Sequence, residues 1–236
     1  MCESFVIAVE PSARIKAVMA TDPARLPQYL AALGLVTRRA VLVLVGGAGG
    51  LDARIGDALM RLFTALGGEL DARGIAVIDG GTDAGVMARM GLARSRRQAR
   101  FPLIGIAARG TVHWPGVPAR ADSAALEPHH SHLLLVPGEC WGDESAWIRD
   151  SATALAAGAP TMTLAAGGGR ITDQDIALSL AAGRRTLLLA DTGGATDHWA
   201  RNPHHQGLAD GVAEVLTLSA ALANPTQVLA TLDSSA

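Results

Sequence analysis

Three consecutive glycines followed by an arginine, Gly167-Gly168-Gly169-Arg170, are residues suited to holding an anion. They end the apolar run PTMTLAA, which begins at Pro160. Glycine loses more conformational freedom on folding than any other residue, so three in succession indicate a demand on the backbone. Either backbone N–H groups approach a ligand closely at the start of a helix, or the glycines form only a tight strand-to-helix turn.

Polar residues that could share this task follow the glycines. Arg170, at a predicted helix start, either pairs bidentately with an anionic oxygen or is an ordinary surface arginine. Thr172 and Asp175 either contact the same ligand or cap the first turn of the helix. We predict Arg170 and Thr172 as ligand contacts.

Other glycine-bearing loops also follow apolar runs. GGAGGLD and GGTDAG each supply several glycines, Arg109 follows the run FPLIGIA, and GECWGDES carries an acidic residue, Glu144, that could bind ribose hydroxyls. His132 opens the run HLLLVP and is expected to make a polar contact to the ligand or a hydrogen bond at the strand entry. The predicted ligand-binding residues are Gly46, Gly47, Gly49, Gly50, Gly80, Gly81, Thr82, Asp83, Gly85, Arg109, His132, Gly142, Glu144, Gly167, Gly168, Gly169, Arg170 and Thr172.

The elements that must position these residues recur along the chain as short apolar runs followed by helix-like stretches. The six runs are AVLVLV, GIAVID, FPLIGIA, HLLLVP, PTMTLAA and RTLLLA. They are continuous rather than alternating, which predicts parallel strands covered on both faces. We therefore predict an α/β fold: a doubly wound Rossmann-like parallel sheet with helices on both faces. A single domain is expected, with a strand and helix cap at 1–36, a core at 40–197 and C-terminal helices at 205–236.

All strand carboxyl ends of a parallel sheet lie along one edge, so the glycine loops must converge there whatever the strand order. Helix amino termini at this edge offer free N–H groups and a partial positive charge. The sequence therefore predicts an anion or nucleotide site at this edge.

Composition excludes several function classes. The 236 residues carry a net charge of −2 without a basic stripe, which argues against nucleic acid as the main partner. Cys2 and Cys140 form no disulfide framework, and no apolar run is long enough to cross a membrane. We expect a cytoplasmic protein with no membrane partner, and a homodimer.

Standard catalytic and metal motifs are missing. The glycine loops do not match the dinucleotide fingerprint or the P-loop, and no nucleophile elbow occurs. His129, His130 and His132, with His113 and Cys140 nearby, lack zinc-site spacing, so we predict no metal site. Trp114 and Trp141 fall in loops after strands, where they either stack on an adenine or pack at the rim.

Five spaced blocks resemble one known family. DGGTDAGVMARMG resembles the G-G-G-x-x-G-L-M-G loop of the SLOG superfamily, which includes the LOG phosphoribohydrolases, and GGGRITDQD resembles their P-G-G-x-G-T-x-x-E motif. The similarity is greater to the LSDAT branch, found in bacterial proteins and in the N-terminal region of melastatin-type TRP channels. VLVLVGGAGGLD, FPLIGIAARGTVHWPG and EPHHSHLLLVPGECWGDESAWI look like its further blocks, in order, within 41–197.

The resemblance implies a Rossmann-like fold that binds a nucleotide-derived, ADP-ribose-like ligand and requires no other cofactor. It also implies an alternative function, because LOG enzymes cleave a ribosyl–base bond with a glutamate at the position of Asp175, helped by an arginine. Here Asp175 is one methylene shorter, and catalytic groups must be held within about half an ångström. We therefore favour a ligand-binding or sensing module without a catalytic residue, and keep as alternative a LOG-type N-glycosidase that uses Asp175 and Arg170.

Overall fold

A computed structural model of the protein describes residues 3–202 and 210–232. Nine of its eleven strands form one sheet, and two short ones pair separately. The strands are β1 (Ser4–Ala8), β2 (Arg14–Met19), β3 (Val41–Gly46), β4 (Ala76–Asp79), β5 (Leu103–Ala108), β6 (Val112–His113), β7 (Ala124–Ala125), β8 (His132–Val136), β9 (Thr161–Ala166), β10 (Arg185–Ala190) and β11 (Ala213–Thr217).

The sheet is parallel apart from its first strand. Its order is β1-β2-β8-β5-β4-β3-β9-β10-β11, and only β1 runs antiparallel to its neighbour. From β3 the chain adds β4, β5 and β8 on one side, and then returns to place β9 on the other side of β3. The strand order therefore reverses between β3 and β9.

Helices cover both faces of the sheet, as the continuous apolar strands predict. The α-helices are α1 (Leu26–Leu33), α2 (Ala53–Ala72), α3 (Gly85–Arg96), α4 (Ser145–Ala156), α5 (Arg170–Ala181), α6 (Gly194–Ala200) and α7 (Leu218–Ala223). 3₁₀ helices occur at Pro23–Arg25, Arg109–Thr111 and Pro225–Leu232.

Two main apolar clusters hold the layers together. On one face α2, α3, α7 and the last 3₁₀ helix pack on strand side chains such as Leu44 and Leu164. On the other face α1, α4, α5 and α6 pack on alternate residues such as Val43 and Ala165. The doubly wound Rossmann-like fold predicted from the sequence is therefore confirmed.

The two ends of the chain are integrated into this architecture. The strands β1 and β2 form a hairpin, and β2 pairs in parallel with β8, so the hairpin of the predicted cap extends the central sheet. Gly34 ends α1 in the left-handed conformation, at φ 80°. Near the other end, β11 is an additional strand where only helices were expected, and residues 203–209 and 233–236 lie outside the described part. Cys2 also lies outside it.

Within the described ranges, no helix is both long and apolar enough to cross a membrane.

Candidate functional site

A cavity of about 350 Å³ opens at the carboxyl edge of the sheet, above the point where the strand order reverses. This is where ligands bind in open α/β sheets, and the volume lies in the range of small-molecule pockets. The cavity is lined by Leu44, Val45, Gly46, Gly47, Ala48, Gly49, Gly80, Thr82, Met87, Ala107, Thr111, Ala124, Trp141, Glu144, Ile148, Gly168, Gly169, Arg170, Ile171, Thr172 and Asp175.

The first two of the three consecutive glycines are required by the turn itself. Gly167 and Gly168 have φ of 64° and 86°, a left-handed conformation that favours glycine. A β-carbon on Gly168 would lie 2.0 Å from the Thr172 hydroxyl oxygen. Their carbonyls accept hydrogen bonds from the start of α6, where Thr196 Oγ1 donates to Gly167 O at 2.8 Å and Ala195 N to Gly168 O at 2.8 Å.

The third glycine has no such packing requirement. Gly169 has φ of −127°, immediately precedes α5, and is exposed. A β-carbon there would meet no described atom within 4 Å, and the same is true of Gly49 and Gly80 in the neighbouring loops. Gly169 therefore leaves space in front of the amino terminus of α5, on the side where the cavity opens.

Arg170 is the first residue of α5 and lines the cavity. Its side chain forms no hydrogen bond or ion pair with any residue in 3–202 or 210–232. The positive end of a helix, its free N–H groups and this guanidinium thus meet at one place, which favours an anion.

Two carboxyl groups lie deeper in the same cavity. Glu144 is 7% exposed and accepts the Gly142 N–H at 3.1 and 3.2 Å. Burial raises the pKa of Glu144 to about 7; its own N–H and that of Gly142 oppose this, while the charges of Asp175 and Asp143 add to it. Burial likewise raises the pKa of Asp175 to about 6, against the opposing influence of the Ser145 hydroxyl.

Asp175 Oδ1 and Thr82 Oγ1 belong to residues that line the cavity and lack hydrogen-bond partners among the described residues. Ser145 Oγ, outside the lining, makes no well-formed hydrogen bond with the described residues either, although it lies near enough to Asp175 to lower the pKa of that carboxyl. Thr82 lines the cavity although the residue is only 1% exposed. Buried polar groups are nearly always paired, so atoms without partners at a cavity wall are suited to a ligand or water.

The remaining wall is apolar. Leu44, Val45, Met87 and Ile148 line it, and Trp141 belongs to the same lining. The Trp141 Nε1–H donates to Asp122 O at 2.9 Å, which holds the indole in place. A planar ring therefore has an apolar surface on which to lie.

The cavity contains ten of the predicted ligand-binding residues, together with Asp175 from the alternative catalytic pair. The ten are Gly46, Gly47, Gly49, Gly80, Thr82, Glu144, Gly168, Gly169, Arg170 and Thr172. Outside its lining are Gly50, Gly81, Asp83, Gly85, Arg109, His132, Gly142 and Gly167, most of which flank it in the same loops.

His132 departs furthest from its predicted place. It is the first residue of β8, so it lies at the amino edge of the sheet, opposite the cavity. Its Nδ1 is 2.8 Å from Ser131 Oγ. Burial and the positive charges of Lys16, Arg94 and Arg39 lower the pKa of His132 to about 4. The hydrogen bond at the strand entry, the other option weighed for this residue, is the one present.

His130 takes part in a buried charge network that the motifs did not reveal. Its Nε2–H donates to Asp79 Oδ1 at 2.8 Å, and its Nδ1–H donates to Glu127 Oε2 at 2.7 Å. Burial lowers the pKa of His130, but the charges and hydrogen bonds of Asp79 and Glu127 outweigh it and raise this pKa to about 10. Asp79 Oδ1 also accepts the Gly81 N–H at 2.7 Å, so the network holds the loop that carries Gly80 and Thr82 to the cavity.

Comparison with known protein families identifies the family of this chain. The family model described as SLOG in TRPM, prokaryote (LSDAT_prok) matches residues 39–232, most of the chain. The chain belongs to this family. No curated protein matches the sequence at a significant level.

Several solved structures are similar to this LSDAT protein in fold. The structural-genomics target TM1055 is 20% identical, with a TM-score of 0.53, over 80% of this chain and 99% of that one. The molybdenum cofactor binding protein from the phototrophic bacterium Rippkaea orientalis is 14% identical, with a TM-score of 0.56, over 81% and 98%. The molybdenum cofactor carrier protein from Chlamydomonas reinhardtii is 18% identical, with a TM-score of 0.52, over 82% and 99%. At these identities the similarity shows a shared fold.

Proposed function

We propose that the cavity binds a phosphorylated, nucleotide-derived ligand such as ADP-ribose, and that the protein is a ligand-binding or sensing module. The observation that carries this proposal is the meeting of Gly169, the amino terminus of α5 and the Arg170 side chain at the mouth of the cavity. A phosphate there would accept hydrogen bonds from backbone N–H groups and pair with the guanidinium. The apolar wall beside Trp141 would hold the ring of the ligand.

Family membership and two of the similar structures support the chemical class. Two of these structures are of proteins named for binding or carrying molybdenum cofactor, a phosphorylated pterin. Nucleotides and this cofactor both join a flat heterocycle to a phosphate. The cavity offers a place for each part.

Calorimetry with ADP-ribose and AMP tests the proposal. Arg170→Ala should weaken binding by about 1.5–3 kcal/mol, the range for a hydrogen bond to a charged group, or roughly ten- to a hundredfold in affinity. Gly169→Val should abolish binding, because its side chain fills the space in front of α5. Arg96→Ala, an exposed arginine at the end of α3, serves as the control and should bind as wild type. Unchanged affinity in both site variants would leave the glycines as a turn only.

The two carboxyl groups favour a second function, a LOG-type nucleotide N-glycosidase. Glu144 and Asp175, with pKa values near 7 and 6, could supply a general acid and a carboxylate that stabilises a developing oxocarbenium ion. Water would then add to the ribose carbon as the bond to the base breaks, and the base would leave with a proton.

Incubating AMP with pure protein and separating the products by chromatography tests this alternative. Release of adenine that Asp175→Asn removes would support it. Asp173→Asn is the matched control, because Asp173 lies on the same helix outside the cavity and accepts the Trp199 Nε1–H at 2.7 Å, a bond that an amide oxygen keeps. If no adenine is released at any time, the N-glycosidase alternative fails and only the ligand-binding function remains.

The absence of a bound metal, a cytoplasmic location and the homodimer stay predictions. Elemental analysis and sedimentation of the purified protein test the first and the last.

A further inference from the structure

Three residues that line the cavity carry polar groups with few or no hydrogen-bond partners in the described part of the protein. Asp175 Oδ1 and Thr82 Oγ1 have no hydrogen-bond partner among the described residues, and the Glu144 carboxyl receives only backbone N–H groups, those of Gly142 and of Glu144 itself. They come from opposite faces of the sheet, because Thr82 precedes α3 while Glu144 and Asp175 belong to the α4 and α5 side. All three line the same cavity as the apolar wall.

We propose that a carboxylate of this pair, Glu144 or Asp175, recognises the 2-amino-4-oxopyrimidine edge that guanine and pterins share. The inference rests on the proposed function, since it keeps the phosphate site and assigns the ring: a guanine or pterin in place of the adenine of ADP-ribose. The phosphate would remain at Arg170, and the ring would reach the acidic end of the cavity.

The hydrogen-bonding chemistry of a carboxylate supports this choice. An ionised carboxylate only accepts hydrogen bonds, through two oxygens. The 2-amino-4-oxopyrimidine edge presents two adjacent donors, a ring N–H and an exocyclic amino group, that match those oxygens. Adenine presents one amino donor beside a ring nitrogen that is itself an acceptor, so one carboxylate oxygen would face a lone pair. The Thr82 hydroxyl, which both donates and accepts, can pair with a further polar atom of the ring on the other wall.

Other ligands for these acids are less consistent with the cavity. The described residues contain no group of three or more acidic, histidine or cysteine side chains able to hold a metal ion. Ribose hydroxyls could bind to the acids, but they would do so equally in every nucleotide. A difference in affinity between nucleotides with different bases therefore distinguishes a contact to the ring from a contact to the ribose.

Calorimetry at pH 8, where both acids are ionised in the protein, gives the test. The ligands are GMP, IMP, AMP and a pterin phosphate such as 6-hydroxymethylpterin phosphate. We expect wild type to bind GMP ten- to a hundredfold more tightly than AMP, with IMP between them because it keeps the ring N–H and lacks the amino group. Whichever of GMP and the pterin phosphate binds more tightly shows whether the cavity prefers a guanine nucleotide or a pterin.

Glu144→Gln and Asp175→Asn then locate the contact. An amide offers one acceptor and one donor, which complements adenine, so the variant of the pairing residue should lose the preference for GMP and gain affinity for AMP. Glu139→Gln is the control, because Glu139 is exposed in the same loop, pairs with Arg120 and lies outside the cavity lining.

The outcomes separate this inference from the proposed function. Equal binding of GMP and AMP, or a preference that neither amide variant changes, would overturn the ring assignment while leaving a phosphate site. If none of the phosphorylated ligands binds to wild type, the proposed function fails and the ring assignment with it.

Discussion

At the scale of single residues, the protein contains buried charges of two opposite kinds. His130 is stabilised in its charged form by Asp79 and Glu127, whereas Glu144 and Asp175 are disfavoured in theirs by burial. The ion pairs of His130 raise the free energy of unfolding, whereas the buried charges of Glu144 and Asp175 lower it at neutral pH. These opposite signs make separate predictions.

Replacing His130 by alanine should cost about 3–5 kcal/mol of unfolding free energy, because two buried carboxylates lose the cation between them. The pKa of His130 is raised when the chain folds, from 6.5 to about 10. Its contribution is therefore complete below about pH 6.5 and is lost as the pH rises through 10. Urea denaturation at pH 7 and pH 10.5 measures both effects.

His113→Ala is the control for this change. His113 is half-buried, and its Nδ1 meets Ser123 Oγ at 2.8 Å without a buried carboxylate. We expect a loss of about 1 kcal/mol or less at both pH values. An equal loss in the two variants would show that the buried network contributes no special stability.

Replacing Glu144 by glutamine should stabilise the unliganded protein by about 1–3 kcal/mol at pH 8. The folded pKa of Glu144, raised to about 7 from 4.5 by burial and by Asp175 and Asp143, means that the folded state holds an extra proton between these values. Stability is therefore lost as the pH rises from about 4.5 to 7, and the gain from glutamine should be small at pH 5. Urea denaturation at the two pH values checks this, and a larger gain at pH 5 would contradict the assignment.

At the scale of elements, the strand-to-helix loops decide which glycines serve the fold and which leave room for a ligand. Gly168 and Gly169 are adjacent, yet only Gly168 has a positive φ and a neighbour that a β-carbon would strike. A tight strand-to-helix turn therefore explains Gly167 and Gly168, but it gives no packing reason for Gly169.

Gly168→Ala should destabilise the fold by more than about 1 kcal/mol, because alanine resists the left-handed conformation and would meet Thr172. Gly169→Ala should change the unfolding free energy by no more than about 0.5–1 kcal/mol, because its φ is negative and an added β-carbon would meet no described atom within 4 Å. Chemical denaturation of this neighbouring pair is the measurement. Similar losses in both variants would mean that Gly169 also has a packing role.

The local pattern of apolar residues is sufficient to predict individual strands. Each apolar run is continuous and ends at a glycine or a turn, so β3, β5 and β9 follow from short stretches of sequence. The His130 network could not be predicted this way, because Asp79 and His130 are 51 residues apart and meet across β5. Gly105 of β5, a β-carbon of which would lie 3.3 Å from His130 Cδ2, leaves the space for that meeting.

At the scale of the whole molecule, strand order determines where the loops open. The convergence of glycine loops on one edge follows from parallel strands alone, but the reversal between β3 and β9 depends on long-range pairing that no local pattern encodes. His132 is a different case, since the sequence already places it at the start of its strand, and in a parallel sheet the strand starts lie at the edge opposite the ligand site. The sequence could thus indicate the edge but not the cavity.

A ligand held where the strand order reverses should stabilise the whole sheet, because strands from both sides meet there. Binding at about 100 times Kd adds about 2.7 kcal/mol to the unfolding free energy. For a chain of this size that corresponds to a rise in Tm of about 5–10 °C. A thermal-shift measurement with ADP-ribose, AMP and GMP checks this, and the Gly169→Val variant should show no rise with any of them.

The fixed indole of Trp141 gives the molecule an optical property of its own. Trp141 lines the cavity and its Nε1–H donates to the Asp122 carbonyl, so we expect its emission to report on a ligand bound there. A purine or pterin stacked on this ring would quench tryptophan fluorescence during the encounter itself, without any attached dye. Stopped-flow mixing could then follow arrival and departure of the ligand in real time, and Trp141→Phe would identify which of the four tryptophans carries the signal.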